Sequence, residues 1–244
     1  KTRHIGRFWS GCAGAVKHGL EIMGIGLLDV ANNKCLMLRA HQSLGNSALK
    51  MRNKTLVEYY ISVMKRYSKK LLSITDIVVA DAFFSTSTFE KGMSELGFYL
   101  VSRFRDNACL YYIPKREKKR GRPRVKGDKI DLANLNLSCM EELHINGLDG
   151  KAYTLEAYAK ALKNKVRLVI WRMPGGKCKL FFSTKLSMTG EEVLKTYRTR
   201  FQIEFCYRDS KQFTGLVDCQ ARHKRQLDFA FNASFASLNA AKVF

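Results

Sequence analysis

The spacing of apolar residues changes along the chain and predicts strands in some segments and helices in others. Two apolar runs, GLEIMGIGLLDV and NNKCLMLRA, are typical of strands joined at a turn over residues 31–33. The segment TLVEYYISVMKRYSKKLL has helical periodicity, and Thr55 with Glu58 forms a capping box at its start. The first third of the chain therefore opens with a strand hairpin followed by a helix.

The next segments continue this alternation. Residues 77–80 form a short apolar run of the kind that a buried strand shows, and the run ends at Asp81. Ser87 and Glu90 make a second capping box, which predicts a helix that Gly97 ends. The run FYLVSRF is then a further strand. Strand, strand, helix, strand, helix, strand predicts an α/β core with a mixed sheet.

After residue 106 the pattern becomes β-rich. Strand-like runs occupy 151–155, 165–173 and 177–184, before a capping box at Thr189 and Glu192 opens a helix. We therefore predict three parts: a first core segment over 1–106, a β-rich insertion over 107–186, and a second core segment over 187–244.

Charge is the outlier of the composition. Lys and Arg number 43 against 21 Asp and Glu, a net charge of +22. Such an excess favours a polyanionic partner, because self-repulsion otherwise opposes compaction. No apolar run approaches the ~20 residues that span a bilayer, so we expect no membrane and favour nucleic acid. Seven scattered cysteines without a C-x-x-C pair indicate buried thiols and a reducing compartment.

The stretch YRTRFQIEFCYRDSK groups charges on one side of a helix. On one ideal helix, Tyr197, Arg200, Glu204 and Lys211 fall within about 60° of one another, with Arg208 beside them. One interpretation is a solvated face with i,i+4 ion pairs, each worth only ~0.2–0.5 kcal/mol. The other is a metal-binding carboxylate among phosphate-binding cations. Periodicity alone leaves both open.

The spacing Y-x2-R-x3-E-x6-K in this stretch resembles the signature of bacterial insertion-sequence transposases of the DDE class. Other segments resemble the same family: WSGCAG with the nearby GLE, VADAFF, and LVSRFRDNA. The resemblance runs from about residue 9 to residue 242. It implies an RNase H-like core with a β-strand insertion before the helix that carries the glutamate.

The resemblance also implies a mechanism. Three carboxylates bind two Mg²⁺ ions, for which Mn²⁺ can substitute, and Asp81 and Glu204 match the second and third of them. Arg200 and Lys211 neutralise phosphate oxygens, and Tyr197 positions the DNA backbone. The enzyme cuts double-stranded DNA at transposon ends and joins the 3′-hydroxyls to target DNA. A homodimer pairs the two ends.

The first aspartate of the family has no match in this chain, and we expect it upstream of residue 1. The chain as given is then catalytically incomplete. Asp29 is a weak substitute, because it precedes a hairpin turn where Asp is commonplace. Phe201 stands where the family often has tryptophan, and it either stacks on a flipped base or packs in the core.

A basic segment, KREKKRGRPRVK, contains a short match to the AT-hook core at RGRP. A loop that contacts phosphates without base preference is the stronger interpretation, and a merely solubilising loop remains open. Its candidate DNA contacts are Lys118, Lys119, Arg120, Arg122 and Arg124. Arg103 and Arg105, after a core strand, are secondary candidates, with surface charge as the alternative.

Three functions fit the sequence. The first is a DNA transposase of the bacterial cytoplasm, associated with the nucleoid. The second is an RNase H-like nuclease that hydrolyses DNA without strand transfer. The third is a DNA-binding protein without catalysis. Joined transposon–target products would separate the first from the second.

Neutralising Lys118, Lys119, Arg120, Arg122 and Arg124 of the basic segment tests the loop interpretation. We expect weaker DNA binding and a flatter dependence of affinity on salt, by about 0.9 in log–log slope per lost phosphate contact. The measurement is a titration of duplex DNA at several salt concentrations. An unchanged slope rules out this loop as a phosphate contact.

Overall fold

A computed structural model describes residues 2, 4–10, 13–114 and 124–243. Its strands are β1 Gly6–Ser10, β2 Ala15–Gly19, β3 Ile22–Asp29, β4 Lys34–Gln42, β5 Ile77–Val79, β6 Tyr99–Phe104, β7 Leu110–Tyr112, β8 Glu141–Leu143, β9 Lys151–Ala159, β10 Asn164–Arg172 and β11 Cys178–Ser183. Its α-helices are α1 Asn46–Lys50, α2 Leu56–Leu72, α3 Ser87–Glu95, α4 Gly190–Thr199, α5 Gln202–Phe213 and α6 Lys224–Val243. The predicted hairpin and strands are present, as are the helices predicted after Thr55 and before Gly97, whereas the helix predicted after Thr189 is divided into α4 and α5.

The chain forms two compact units. One consists of Lys1–Val63 with Thr199–Phe244, and the other of Met64–Arg198. The second unit holds a sheet in the order β5-β6-β11-β10-β9-β7, with β8 added beside β9. Strands β5 and β6 are parallel, whereas the other pairs are antiparallel. The prediction of an α/β fold with a mixed sheet is therefore confirmed.

The strands of the predicted insertion belong to the same sheet as the preceding core strands. Strand β11 pairs with β6, with Phe182 opposite Ser102. One face of this sheet packs Val101, Val169 and Phe181 against Val193 and Leu194 of α4. The three-part division at residues 106 and 186 stays a prediction.

Side-chain caps fix the helix starts at two predicted places. The Thr55 N–H donates to Glu58 Oε2 at 2.7 Å, and the Glu58 N–H donates to Thr55 Oγ1 at 3.2 Å. Thr189 and Glu192 form the same reciprocal pair at the start of α4. Both capping boxes are confirmed.

The predicted capping box at Ser87 and Glu90 is wrong by one residue. Thr86 is the N-cap of α3, and its hydroxyl accepts the Phe89 N–H. Glu90 is instead buried, where its Oε1 accepts Asn164 Nδ2 at 3.0 Å. The helix ends as predicted at Gly97, whose φ of 91° allows a Schellman motif in which the Phe98 N–H reaches the Met93 carbonyl.

The first unit is built on the β3–β4 hairpin, which α6 covers through side-chain amides. The Asn239 amide accepts the Met37 N–H at 2.9 Å and donates to the Met37 carbonyl at 2.8 Å. Asn232 does the same for Ala40, at 2.9 and 3.3 Å. Both backbone groups of these β4 residues are thus satisfied without a neighbouring strand.

A bulge makes this arrangement possible. Gly26 pairs with Met37 and Gly24 with Ala40, so Leu38 and Arg39 together occupy the place of one residue. Met37 and Ala40 therefore turn their N–H and C=O groups to the same edge of the hairpin. Three extended residues cover about 10 Å, which matches the ~10.5 Å rise between helix positions seven apart.

Helix α5 packs beneath the same hairpin and holds a buried thiol. Cys206 Sγ lies 3.1 Å from Lys242 Nζ and 3.5 Å from the Cys35 carbonyl. A hydrogen bond from the Cys35 thiol and the Lys242 ammonium lower the pKa of Cys206 to about 6.

The six described cysteines are free, with three buried and one exposed. Among the described residues, no helix is long and apolar enough to span a bilayer.

Removing one amide of α6 tests its role at the β4 edge. We expect Asn239→Ala to lower the free energy of unfolding by about 1–3 kcal/mol, because Met37 is buried and loses the partners of two backbone groups. Urea unfolding measures the change, with Ser237→Ala on the exposed face of α6 as the control. A loss within about 0.5 kcal/mol, typical of a surface substitution, would contradict the assignment.

Candidate active-site residues

Asp81 lies at the carboxyl end of the parallel strand β5. The strand is held to β6, and the Ala80 N–H extends the pairing to the Val101 carbonyl at 3.1 Å. Asp81 Oδ1 then accepts the Phe83 N–H at 2.9 Å and starts a short 3-10 helix, Ala82–Phe84. The side chain is exposed, and Oδ2 has no hydrogen-bond partner within the described part of the chain. One carboxylate oxygen is therefore available to a ligand.

Two serines hold the Asp81 backbone in place. Ser102 Oγ donates to the Asp81 carbonyl at 2.9 Å and lies 3.0 Å from Ser85 Oγ. Ser85 Oγ also donates to the Arg103 carbonyl at 2.7 Å. The two serines thus link the backbone carbonyls of Asp81 and Arg103. The sequence reasoning missed these serines, although Ser102 stands out as a polar residue inside the apolar run of β6.

Arg103 is half-buried on β6, directly opposite Phe181 of β11. Its Nε is buried and has no hydrogen-bond partner among the described residues. Arg105 lies beyond the end of β6 and is exposed. The roles of Arg103 and Arg105 in DNA contact stay predictions.

Tyr197 lies on α4 in the second unit. Its ring is half-buried and contacts the Phe181 ring at a centroid distance of 5.1 Å and an angle of 55°. The Tyr197 ring thus packs on the sheet through Phe181, and part of its surface is accessible to solvent.

The predicted single helix through the signature is wrong. Helix α4 ends at Thr199 and α5 begins at Gln202, so Tyr197 and Glu204 lie on different helices. At the junction the Glu204 N–H reaches the Phe201 carbonyl at 3.0 Å, a three-residue spacing that starts a new turn. No Gly or Pro marks the break in the sequence. The common 60° stripe of the four signature residues is accordingly not observed.

Helix α5 turns Glu204 and Lys211 to solvent. Cys206 is fully buried, and Ile203 and Tyr207 pack against the same core cluster. This confirms the predicted core face of the segment. A Cβ on Gly24 of β3 would overlap the Tyr207 hydroxyl, so this glycine allows the close approach of α5 to the hairpin. Lys211 is exposed and makes no ion pair with any described residue.

Arg200 and Glu204 form an ion pair. Arg200 Nη2 lies 2.6 Å from Glu204 Oε1, and the two side chains are 21% and 49% exposed. Arg208 does not pair with Glu204: it contacts Asp209 Oδ1 at 2.9 Å and lies 4.6 Å from the Phe205 ring. Of the i,i+4 ion pairs that the solvated-face interpretation predicts, only Arg200–Glu204 is seen among the described residues. The second oxygen of Glu204, Oε2, has no partner among them.

Phe201 is 49% exposed and contacts Phe205 edge-on at 4.9 Å. Half of the Phe201 side chain is thus accessible for stacking and the other half is packed, so both interpretations of this residue stay open. In the basic segment KREKKRGRPRVK, Lys118, Lys119, Arg120 and Arg122 lie outside the described residues, and Arg124 is exposed. The loop interpretation therefore stays a prediction.

Asp29 is a turn residue. Its carboxylate accepts the Asn32 N–H at 3.1 Å and Asn32 Nδ2 at 2.7 Å, and these bonds lower the pKa of Asp29.

Among the described residues, no three His, Cys, Asp or Glu side chains group as metal ligands. Asp81 and Glu204 belong to different compact units. No protein-family model and no curated protein matches the sequence.

Removing the Ser102 hydroxyl tests how Asp81 is positioned. We expect Ser102→Ala to lower the free energy of unfolding by about 1–3 kcal/mol, because the buried serine holds the Asp81 carbonyl and Ser85. Urea unfolding gives the value, with the exposed Ser94→Ala on α3 as the matched control. Equal stability of the two variants would show that these bonds do not hold the strand end.

Proposed function

We propose that this chain carries the catalytic part of a DNA transposase of the DDE class, with an RNase H-like core. The observation that carries the proposal is Asp81, an exposed carboxylate fixed at the carboxyl end of a parallel strand with one free oxygen. Ligands of open α/β sheets bind at this end of the strands. The signature spacing from Tyr197 to Lys211 and the charge of +22 support the same function.

The exposed carboxylates fit hard divalent cations. Asp81 and Glu204 each present an oxygen that has no partner in the described part of the chain, and Mg²⁺ prefers carboxylate oxygens while keeping several waters. Two such ions, when bound, supply activation of water and stabilisation of the leaving oxygen in an in-line displacement at phosphorus. The third carboxylate that the resemblance implies is not assigned to a residue of this chain.

The cations around Glu204 would bind the phosphodiester. Lys211 is exposed, and the Arg200 guanidinium can hold a phosphate through two hydrogen bonds. Arg200 donates to Glu204 at 2.6 Å in the structure. Phosphate binding by Arg200 would exchange this charged hydrogen bond for one to a phosphate oxygen, two bonds of the same kind.

Phosphate binding by this arrangement is independent of DNA sequence, because none of these contacts reads a base. Selection of the transposon ends then requires other contacts, and two ends require two copies of the site. We accordingly propose a homodimer on double-stranded DNA, in the bacterial cytoplasm at the nucleoid.

The second candidate is a DNA-binding protein without catalysis. The Arg200–Glu204 pair at 2.6 Å favours it, because the pair occupies one oxygen of the Glu204 carboxylate. A nuclease without strand transfer shares the proposed site and differs only in its products.

Carboxylate substitutions separate these functions. In the complete reading frame that contains these 244 residues, we expect Asp81→Asn and Glu204→Gln each to abolish Mg²⁺-dependent cutting and joining. The assay uses a supercoiled plasmid that carries the gene with its native flanking DNA, and sequencing of the joined products detects strand transfer. Binding of DNA should persist, because both substitutions remove negative charge.

The matched control is Glu95→Gln, an exposed carboxylate on α3. It should cut and join DNA as the unsubstituted protein does, and all three variants should keep their stability within about 0.5 kcal/mol. Cutting without joined products would assign the nuclease function. DNA binding without cutting by any form of the protein would assign the non-catalytic function.

A further inference from the structure

The first 20 residues contain a hairpin that the proposed active site does not use. Strands β1 and β2 pair antiparallel, with Arg7 opposite His18 and Trp9 opposite Val16. Within the described residues no further strand joins this two-stranded sheet. An isolated two-stranded hairpin is only marginally stable in water. Apolar side chains that are exposed on it do not stabilise it by burial, and a binding partner would cover them.

The two faces of the hairpin differ. Burial alternates along β1, and Phe8 is half-buried on the face that approaches Gly45. The outer face consists of Arg7, Trp9, Val16 and His18, all exposed. Trp9 is 66% exposed and its cross-strand neighbour Val16 is 58% exposed. A large aromatic ring thus lies open to solvent beside cations.

The charge of this segment has one sign. Residues 1–20 contain four Lys and Arg, two His and no Asp or Glu. The first acidic residue is Glu21, and its carboxylate accepts the Tyr60 hydroxyl at 2.7 Å. Neither Arg7 nor Lys17 forms an ion pair with a described residue. The positive charge of the hairpin is therefore available to a partner.

An aromatic ring flanked by cations matches the chemistry of unpaired nucleic acid. Base stacking on an aromatic side chain is sequence-tolerant, and nearby Arg and Lys bind the phosphates. A second copy of the hairpin is a poorer partner, because a two-fold contact through the outer face would set Arg7 against its own copy. The charge thus selects a polyanion.

We propose that the outer face of the β1–β2 hairpin binds a DNA segment with unpaired bases, with Trp9 stacking on a base and Arg7, on the same face, contacting phosphates. This inference rests on the proposed function and adds a DNA contact to it. Cutting and joining expose DNA ends, and a freed strand end is the form of DNA that offers such bases.

The two tryptophans of the chain allow a direct test. Trp171 belongs to the unit Met64–Arg198, where its indole N–H donates to the Asp149 carbonyl. The substitution Trp171→Phe leaves Trp9, in the other unit, as the only tryptophan of the sequence and thus as the fluorescence reporter. In this 244-residue background, a single-stranded oligothymidylate of about 12 nucleotides, within the range of known single-strand site sizes, should quench the Trp9 fluorescence. Quenching should saturate and weaken with salt.

Affinity is then measured by fluorescence anisotropy of labelled DNA, in the natural background. Trp9→Ala should weaken binding of the single strand by about 5- to 150-fold, the range that 1–3 kcal/mol of stacking corresponds to. Phe229→Ala, which removes a 75% exposed ring from α6, is the matched control and should leave affinity unchanged. Arg7→Gln should flatten the salt dependence, with Arg225→Gln as its control.

Each other outcome overturns the inference. Equal single-strand affinity of Trp9→Ala and Phe229→Ala, with duplex binding intact, would remove the hairpin from the DNA surface and leave the proposed function standing. No DNA binding by the chain at low salt would overturn both. A dimer in sedimentation that Trp9→Ala dissociates would assign the face to a second copy. Thermal unfolding verifies that the variants are folded.

Discussion

The contact of two asparagines with one strand edge determines how the glutamate-bearing unit is built. Asn232 and Asn239 replace the hydrogen bonds that a neighbouring strand would give to β4. The edge is closed without a strand, and α6 is fixed in register because two amides must meet two residues at once. Phe235, between them, then enters the core with Cys206. The outward position of Glu204 on α5 follows from this inward contact.

Each of the two candidate carboxylates, one in each unit, is exposed on a supported backbone. Hydrogen bonds of Ser85 and Ser102 fix the backbone at Asp81, while its carboxylate remains exposed. Glu204 is held differently, by a helix whose other face is core and by a salt bridge to Arg200 that solvent weakens. In both cases the backbone is held in place while the carboxylate stays exposed to solvent. A residue that binds a large anionic ligand requires both properties.

Local signals in the sequence predicted most of the elements, because their causes lie within a few residues. The box at Thr55 and Glu58 and the φ of Gly97 are of this kind. The break after Thr199 was missed, since no residue there forbids a helix. The contacts of Asn239 with Met37 were also missed: 202 residues separate them, and an asparagine on a helix has no pattern that names its partner. Asp81 was predicted by position and resemblance, whereas its serine supports required the paired strands.

The division of the chain has a consequence for synthesis on the ribosome. The unit Met64–Arg198 is continuous and can fold once its last residue has emerged, whereas the other unit needs its distant partner segment. The β3–β4 hairpin emerges about 200 residues before Asn239, a delay of ~10–40 s at 5–20 residues per second. During that interval its apolar face and the β4 edge lack α6. A nascent chain of this protein therefore exposes an unpaired strand edge until the segment that carries Asn239 has been synthesised.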